Sequence, residues 1–179
     1  TSAGSGYAAN AAVTVTGNGT ANALAAAGKI TAVNVVLPGN SYSTIPTATV
    51  AAPAAINISA NTAGVVAATD FILIATANSY LTAGDLLYYA VPAGNTATAP
   101  LTANSNYYVG FANTTGITLA LTPGGANINL TEARTTAEVH TLRGETATAV
   151  AALSGARPAA HAGWVLRTVG TGGRAGRVQ

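Results

Sequence analysis

The stretch that decides the fold class runs from Gly28 to Leu37 and reads GKITAVNVVL. Apolar and polar side chains alternate along most of it, as is typical of a strand with one buried face. Gly28 precedes the alternating residues, and Pro38 and Gly39 follow them, as turn residues do at the ends of strands. The pattern predicts β structure in the N-terminal third of the chain.

An internal repeat surrounds this strand. Gly4–Val15 aligns with Gly39–Val50 at an offset of 35 positions, and Tyr7 and Tyr42 are the predicted anchors of the two copies. Each unit reads as strand, glycine-rich turn, tyrosine and strand, so the first copy lacks its leading strand. Because repeats bury their faces against each other, we expect that strand to lie upstream or to come from a neighbouring copy. The segment Ala21–Ala27 fits either a helical turn or an extended strand.

A second module is predicted over residues 54–145, after a first module that ends at residue 53 in a linker rich in Pro and Ala. Gly, Asn and Pro separate its short apolar runs, as turns require. The predicted strands are Ala63–Ala68, Phe71–Ala75, Asp85–Val91, Asn106–Phe111, Ile117–Leu121, Ile128–Leu130 and Glu138–Leu142. Many short strands separated by turns predict a small barrel or sandwich.

Residues 146–179 are predicted to form an Ala-rich arm and a hairpin. The arm covers Ala147–Ala162, a clear strand follows at Gly163–Val169, and Arg174–Gln179 is the expected return strand. The predicted fold class is therefore all-β, with small sandwich or barrel modules of short antiparallel strands and a C-terminal arm and hairpin. Since both ends fall within β structure, we expect the chain to be part of a longer protein.

Charge is scarce in this chain, because only 7% of its residues are Asp, Glu, Lys or Arg, against about 25% in ordinary globular proteins. Residues 1–130 hold only Lys29, Asp70 and Asp85, whereas residues 131–179 hold three Glu and six Arg. A chain with so little charge is expected to cover much of its surface in an assembly. With no Cys, two His and five carboxylates, we expect no disulfide, no metal and no other cofactor.

Few residues could support catalysis. Glu138 and His140 share one face of a predicted strand and could activate a nearby Ser or Thr, but a polar pair on a solvent-facing surface is the favoured interpretation. His161 lies in an Ala- and Gly-rich loop. Asp70 and Asp85 each begin a strand, where Asp commonly accepts hydrogen bonds from nearby backbone amides. We therefore predict no enzymatic site.

The repeat and the span from Ala83 through Ala126 resemble β modules that recur in phage structural proteins and bacterial surface proteins. The ending, Ala162–Val178, is similar to a segment of virion structural proteins of marine tailed phages, including cyanophages. This resemblance implies a virion component without enzymatic activity, whose partners are capsid or tail proteins and further copies of the chain. Capsid decoration is the preferred role, and a tail, neck or fibre component is the alternative.

The C-terminal arginines are the predicted docking residues. Arg binds carboxylates through two parallel hydrogen bonds, and Arg and Trp are enriched at interface hot spots. The predicted interface consists of Arg157, Trp164, Arg167, Arg174 and Arg177. Nucleic acid normally requires a denser basic patch, so we expect a protein partner and neither nucleic acid nor a membrane.

A carbohydrate-binding or adhesion module is the alternative from another functional class. Its basis is two tyrosine pairs on predicted neighbouring strands, which could form a stacking platform of Tyr88, Tyr89, Tyr107 and Tyr108. Adjacent residues of a strand point to opposite faces of the sheet. One tyrosine of each pair is therefore expected to enter the core, while the other faces solvent or a partner.

Overall fold

The computed structural model describes residues 2–37, 39–40, 47–75, 80–131 and 133–147, together with the backbone of residues 165–167. These residues form two antiparallel sheets and no α-helix, which confirms the predicted all-β class. A single 3-10 turn covers Ala67–Thr69 within them. In this part of the chain, no helix is long and apolar enough to cross a membrane.

The first sheet contains β1 (Ala12–Val15), β2 (Thr20–Ala26), β3 (Lys29–Leu37), β4 (Ala48–Val50) and β12 (Val165–Arg167). Their spatial order is β12-β3-β2-β1-β4. The ambiguous Ala21–Ala27 segment is a strand, in which buried Ala21 and Ala23 alternate with exposed Asn22 and Leu24. β1 is paired on both sides, by β2 and by β4, which leaves no position beside it for a neighbour's strand. The predicted leading strand of the first repeat, which would lie upstream or come from a neighbouring copy, stays a prediction.

The C-terminal strand returns to the first sheet. Leu166 of β12 pairs with Val33 of β3, in antiparallel register. The predicted strand over Gly163–Val169 is thus confirmed for its three central residues. The rest of the predicted arm and hairpin, from residue 148 to 164 and from 168 to 179, lies outside the described residues.

The second sheet contains β5 (Ile56–Ser59), β6 (Val65–Val66), β7 (Phe71–Leu73), β8 (Leu86–Ala90), β9 (Ser105–Ala112), β10 (Gly116–Ala120) and β11 (Val139–Gly144). Their order is β5-β11-β8-β9-β10-β7-β6. The predicted strands of this module overlap one of them except Ile128–Leu130, although of Ala63–Ala68 only Val65–Val66 is a strand and Ala67–Ala68 lie in the 3-10 turn. The isolated bridge here is made by Asn127, just before that segment, to Ala120; the Ile128 amide donates to the Leu119 carbonyl, and the Leu130 amide donates to the side chain of Asp70. β5 was not predicted, because four residues directly after a Pro- and Ala-rich linker carry little periodicity.

Each sheet has its own hydrophobic core. The core of the second sheet is built from large side chains, among them Leu87, Tyr89, Ile117 and Leu142. The core of the first sheet has a larger share of small ones, and it contains Tyr7, Ala21, Ala23, Ile30, Val33, Val50 and Ala147. The predicted module boundaries at residues 53 and 145 stay a prediction, since the N-terminal segment contacts both sheets.

Candidate functional site

The segment Ser2–Tyr7 lies against the second sheet through the buried side chain of Ser5. The Ser5 hydroxyl donates to the carbonyl of Leu86 at 2.8 Å and accepts from the amide of Glu145 at 2.9 Å. The Ser5 amide also donates to the Glu145 carbonyl at 2.9 Å. One serine therefore ties the N-terminal segment both to β8 and to the residue that follows β11.

The same segment is bonded to the first sheet. The Tyr7 amide donates to the Gly28 carbonyl at 3.0 Å, and the Ile30 amide donates to the Ala3 carbonyl at 2.9 Å. The buried Tyr7 hydroxyl donates to the Ala51 carbonyl and accepts from the Ala147 amide, at 3.1 and 2.8 Å. Burial raises the pKa of this phenol, although the hydrogen bond from the Ala147 amide acts in the opposite direction. Tyr42, the predicted anchor of the second repeat, lies outside the described residues.

An open groove of about 410 Å³ borders the N-terminal segment where the two sheets meet. Its polar and aromatic lining consists of Ser2, Ser5, Lys29, Asp85, Tyr108 and Glu145. The volume falls in the range of small-molecule clefts, roughly 300–1,000 Å³. Residues from both sheets and from the N-terminal segment contribute to it, so the groove depends on how the bonds of Ser5 and Tyr7 hold these parts together.

One ion pair crosses the groove. Lys29 Nζ lies 3.4 Å from Asp85 Oδ1; the lysine side chain is half exposed and the aspartate side chain is buried. The other oxygen of Asp85 accepts from the amide and the hydroxyl of Thr82, at 2.8 and 3.1 Å. The predicted bonding of Asp85 to a nearby backbone amide is thus confirmed. For Asp70 it is wrong, because Asp70 accepts from the amide of Leu130, far along the chain.

Two groups in the groove remain available. Glu145 is exposed and accepts from the Ser2 hydroxyl at 3.1 Å, but no cation pairs with it among the described residues. Tyr108 is half-buried, and in the same part of the chain its hydroxyl makes no hydrogen bond. The groove therefore combines one compensated ammonium, one uncompensated carboxylate and one free phenol.

The outer face of the second sheet continues from the groove. Tyr108 pairs with Leu86, and two residues further along the strands Tyr88 pairs with Asn106 on one side and Arg143 on the other. Tyr89 and Tyr107 point to the opposite face and are 0% and 4% exposed. The prediction that one tyrosine of each pair enters the core is confirmed. The four-tyrosine platform is wrong, since only Tyr88 and Tyr108 can present a ring to a ligand.

The same outer face carries an aromatic patch, formed by Phe71, Leu73 and Phe111. The two phenylalanine rings meet edge to face, with centroids 5.9 Å apart. Gly116 of β10 lies beneath them, and a Cβ there would come within 2.7 Å of Phe71 Cδ1. Phe111 is 50% exposed and Leu73 is 36% exposed. Glycine at this position therefore lets an apolar cluster spread across three neighbouring strands.

His140 lies in the core rather than on a solvent-facing surface. It is 0% exposed, and its Nδ1 lies 2.6 Å from the hydroxyl of Tyr89, which also accepts from the Thr98 amide at 3.1 Å. The expectation of a solvent-facing pair with Glu138 is therefore wrong, although both residues do share one face of the strand. The candidate catalytic base is bonded to a phenol and not to a Ser or Thr hydroxyl. His161 lies outside the described residues.

Glu138 lies beside His140 at the edge of the core and adds further hydrogen bonds to the network of His140, Tyr89 and Thr98. Its carboxylate accepts from the Thr96 amide at 2.9 Å and from the Thr136 hydroxyl at 2.8 Å, and it lies 3.8 Å from the guanidinium of Arg134. These groups lower the pKa of Glu138, with the bond from Thr96 as the largest cause. Burial lowers the pKa of His140 despite the nearby Glu138, whose Oε2 lies 3.5 Å from Nε2. The network thus favours a neutral imidazole and an ionised carboxylate.

Most of the predicted interface residues lie outside the part of the chain that the structure describes. Arg157, Trp164, Arg174 and Arg177 lie outside the described residues, and Arg167 is described only as backbone in β12. Among the residues that are described, no three His, Cys, Asp or Glu side chains gather as a metal site would require.

Sequence reasoning missed the roles of Ser5, Lys29 and Glu145 in the groove. Lys29 carried a signal, because it is the sole cation in the first 130 residues and stands at the start of a strand. No local sequence pattern marks Ser5 or Glu145, because their contact joins residues 140 positions apart. Comparisons with protein-family models, with curated proteins and with solved structures find no match for this chain.

Proposed function

We propose that this chain is a structural virion protein without enzymatic activity, and that it decorates or cements a capsid. The observation that carries the proposal is the aromatic patch of Phe71, Leu73 and Phe111. Contiguous apolar surface of this kind marks sites of protein contact, in contrast to single exposed apolar residues. The same role is what the resemblance of Ala162–Val178 to virion proteins of marine tailed phages implies.

The charge pattern supports assembly as well. Of the three charges in residues 1–130, Lys29 and Asp85 pair with each other. Copies packed through the N-terminal part therefore meet little electrostatic repulsion, which normally keeps monomers apart. Decoration also needs little affinity per contact, because contacts multiplied by the symmetry of a particle combine through avidity.

The proposal assigns the contacts with neighbouring proteins to two surfaces. The aromatic patch contacts an apolar surface of a neighbouring copy or of the capsid protein. Arg157, Trp164, Arg167, Arg174 and Arg177 dock on an acidic surface of the capsid protein, since Arg pairs with carboxylates in a fixed geometry. The protein is then expected in the extracellular particle, after assembly in the host cytoplasm.

Quantitative mass spectrometry and electron microscopy of particles from a culture that carries the gene test the role. Hundreds of copies spread over the head support decoration. If the copies instead occur in multiples of three, five or six at one vertex, the chain is a tail, neck or fibre component and not a decoration protein. Absence of the chain from purified particles would overturn the virion proposal altogether.

A matched pair of variants tests the aromatic patch. Phe111→Ser should lower the occupancy of the chain on particles, because it removes the most exposed ring of the patch. Leu121→Ser should leave occupancy unchanged, since Leu121 is 71% exposed in a turn outside the patch. Equal occupancy of both variants would show that the patch is not the contact surface.

A further inference from the structure

We propose that the groove lined by Lys29, Asp85, Tyr108 and Glu145 binds a single sugar residue that is neutral or carries an amino group. The inference goes beyond the virion role and does not depend on it. It rests on the shape of the groove, on its balance of charges and on the unused phenol of Tyr108.

The groove has the donors and acceptors that a sugar requires. The Lys29 ammonium has three N–H donors and lies 3.4 Å from Asp85, while Glu145 offers a carboxylate and Tyr108 a hydroxyl that can donate or accept. A sugar presents hydroxyls of both kinds around a small ring. Gly84 also lines the groove, and a Cβ there would meet no atom within 4 Å, so backbone as well as side chains faces the open space.

Tyr108 supplies the apolar surface for the other side of a sugar ring. Tyrosine combines an aromatic body with a polar tip, which suits ligands that are apolar on one side and hydroxylated on the other. Tyr108 belongs to β9, and its pairing partners on the two neighbouring strands are Leu86 and Ala120. A half-buried ring on a central strand is preorganised, which reduces the entropy lost on binding.

Charge decides between classes of sugar. Asp85 compensates Lys29 at 3.4 Å, whereas Glu145 has no cationic partner among the described residues. Among the described residues that line the groove, the uncompensated charge is therefore negative. A hexuronate or another acidic sugar is repelled, a neutral hexose is accepted, and the ammonium of an amino sugar is attracted to Glu145.

Saturation-transfer NMR of the full chain with glucose, galactose, mannose, glucosamine and glucuronate tests this order. At least one neutral hexose should receive saturation, glucosamine should bind at least as well as glucose, and glucuronate should bind least. Tyr108→Ala should abolish the signal, and Tyr108→Phe should retain part of it because the ring remains. Glu145→Gln should reduce the ratio of the glucosamine affinity to the glucuronate affinity by about 25-fold, because one solvent-exposed charge at contact distance is worth about fivefold and acts with opposite sign on the two sugars.

Phe111→Ala is the matched control, because Phe111 is an exposed aromatic residue of the same strand outside the groove. It should leave sugar binding unchanged. The proposal is overturned if no sugar receives saturation from the wild-type chain, if glucuronate binds best, if folded Tyr108→Ala binds as the wild type does, or if Phe111→Ala weakens binding equally. Thermal unfolding of each variant confirms that it is folded. Copy number on particles is measured separately, so failure of either proposal leaves the other standing.

Discussion

The hydroxyl of Tyr89 lies 2.6 Å from Nδ1 of His140, and both side chains are fully buried in the core of the second sheet. The amide of Thr98 donates to the same hydroxyl, so the hydroxyl proton is free to point at the imidazole. In the tautomer whose proton sits on Nε2, facing Glu138 Oε2 at 3.5 Å, Nδ1 accepts from this hydroxyl. This arrangement assigns His140 a neutral state and a role in fixing β8, β11 and the loop at Thr98.

Tyr89→Phe tests how much this arrangement stabilises the fold. The variant keeps the ring but leaves Nδ1 of His140 and the amide of Thr98 buried without a partner. The free energy of unfolding should fall by about 1–3 kcal/mol, the usual cost of an unsatisfied buried polar group. Urea denaturation measures it. Tyr88→Phe, at the exposed neighbouring position, should change it by less than about 0.5 kcal/mol, and equal effects of the two variants would contradict the assignment.

Stability should also depend on pH through His140. Burial lowers the pKa of its imidazole below the usual 6.5, so the unfolded chain takes up this proton at a higher pH than the folded chain does. The free energy of unfolding is therefore expected to decrease as the pH falls below about 6.5 and to level off below the folded pKa. Glu138, whose pKa is lowered from 4.5, adds a further loss only near and below that value.

Urea unfolding of the wild type and of His140→Gln, at several values between about pH 7.5 and 5, separates these two groups. The variant should lose most of the pH dependence in this window, whatever its stability at neutral pH. An undiminished dependence in the variant would mean that another group titrates there.

Turn chemistry and alternation predict most of the strands but not their partners. The turns around Gly84 and Gly116 placed β8 and β10 to within a residue or so of their bounds, because the residues that form a turn are neighbours in sequence. The pairing of β12 with β3 joins residues more than a hundred positions apart, and no local pattern encodes it. β5 is too short to show a period.

For the candidate site, too, the sequence predicts local features but not contacts between distant residues. Alternation placed Glu138 and His140 on one strand face, but it cannot say which face is buried, because that depends on the strands that pair on either side. The same holds for the tyrosine pairs, where alternation separated Tyr88 from Tyr89 without selecting the buried one. The groove was not predicted at all, since Ser5, Lys29 and Glu145 meet only once both sheets have formed.

Ser5→Ala should loosen the N-terminal segment from the second sheet. It removes the acceptor of the Glu145 amide and the donor to the Leu86 carbonyl, both at a buried residue, and should lower the free energy of unfolding by about 1–3 kcal/mol. Hydrogen exchange at the Ile30 amide, which donates to the Ala3 carbonyl, should quicken more than exchange in β9. Ser105→Ala, which removes an exposed bond to the Ala103 carbonyl, should alter neither quantity. Uniform quickening throughout the chain would indicate global destabilisation instead.

Ala23→Leu tests why the first sheet is so rich in small residues. Ala23 is 0% exposed, pairs with Val33 and packs in a core that also contains Tyr7 and Ala147. Additional methylene groups have no space there, and overpacking of this kind typically costs about 1–3 kcal/mol. We therefore expect a lower urea midpoint and a displaced Tyr7, read from the chemical shifts of its ring. Ala54→Leu, at an exposed position between the two sheets, should leave both unchanged. If Ala23→Leu were as stable as the wild type, the first core would contain space that the packing does not reveal, and the abundance of alanine would need another cause.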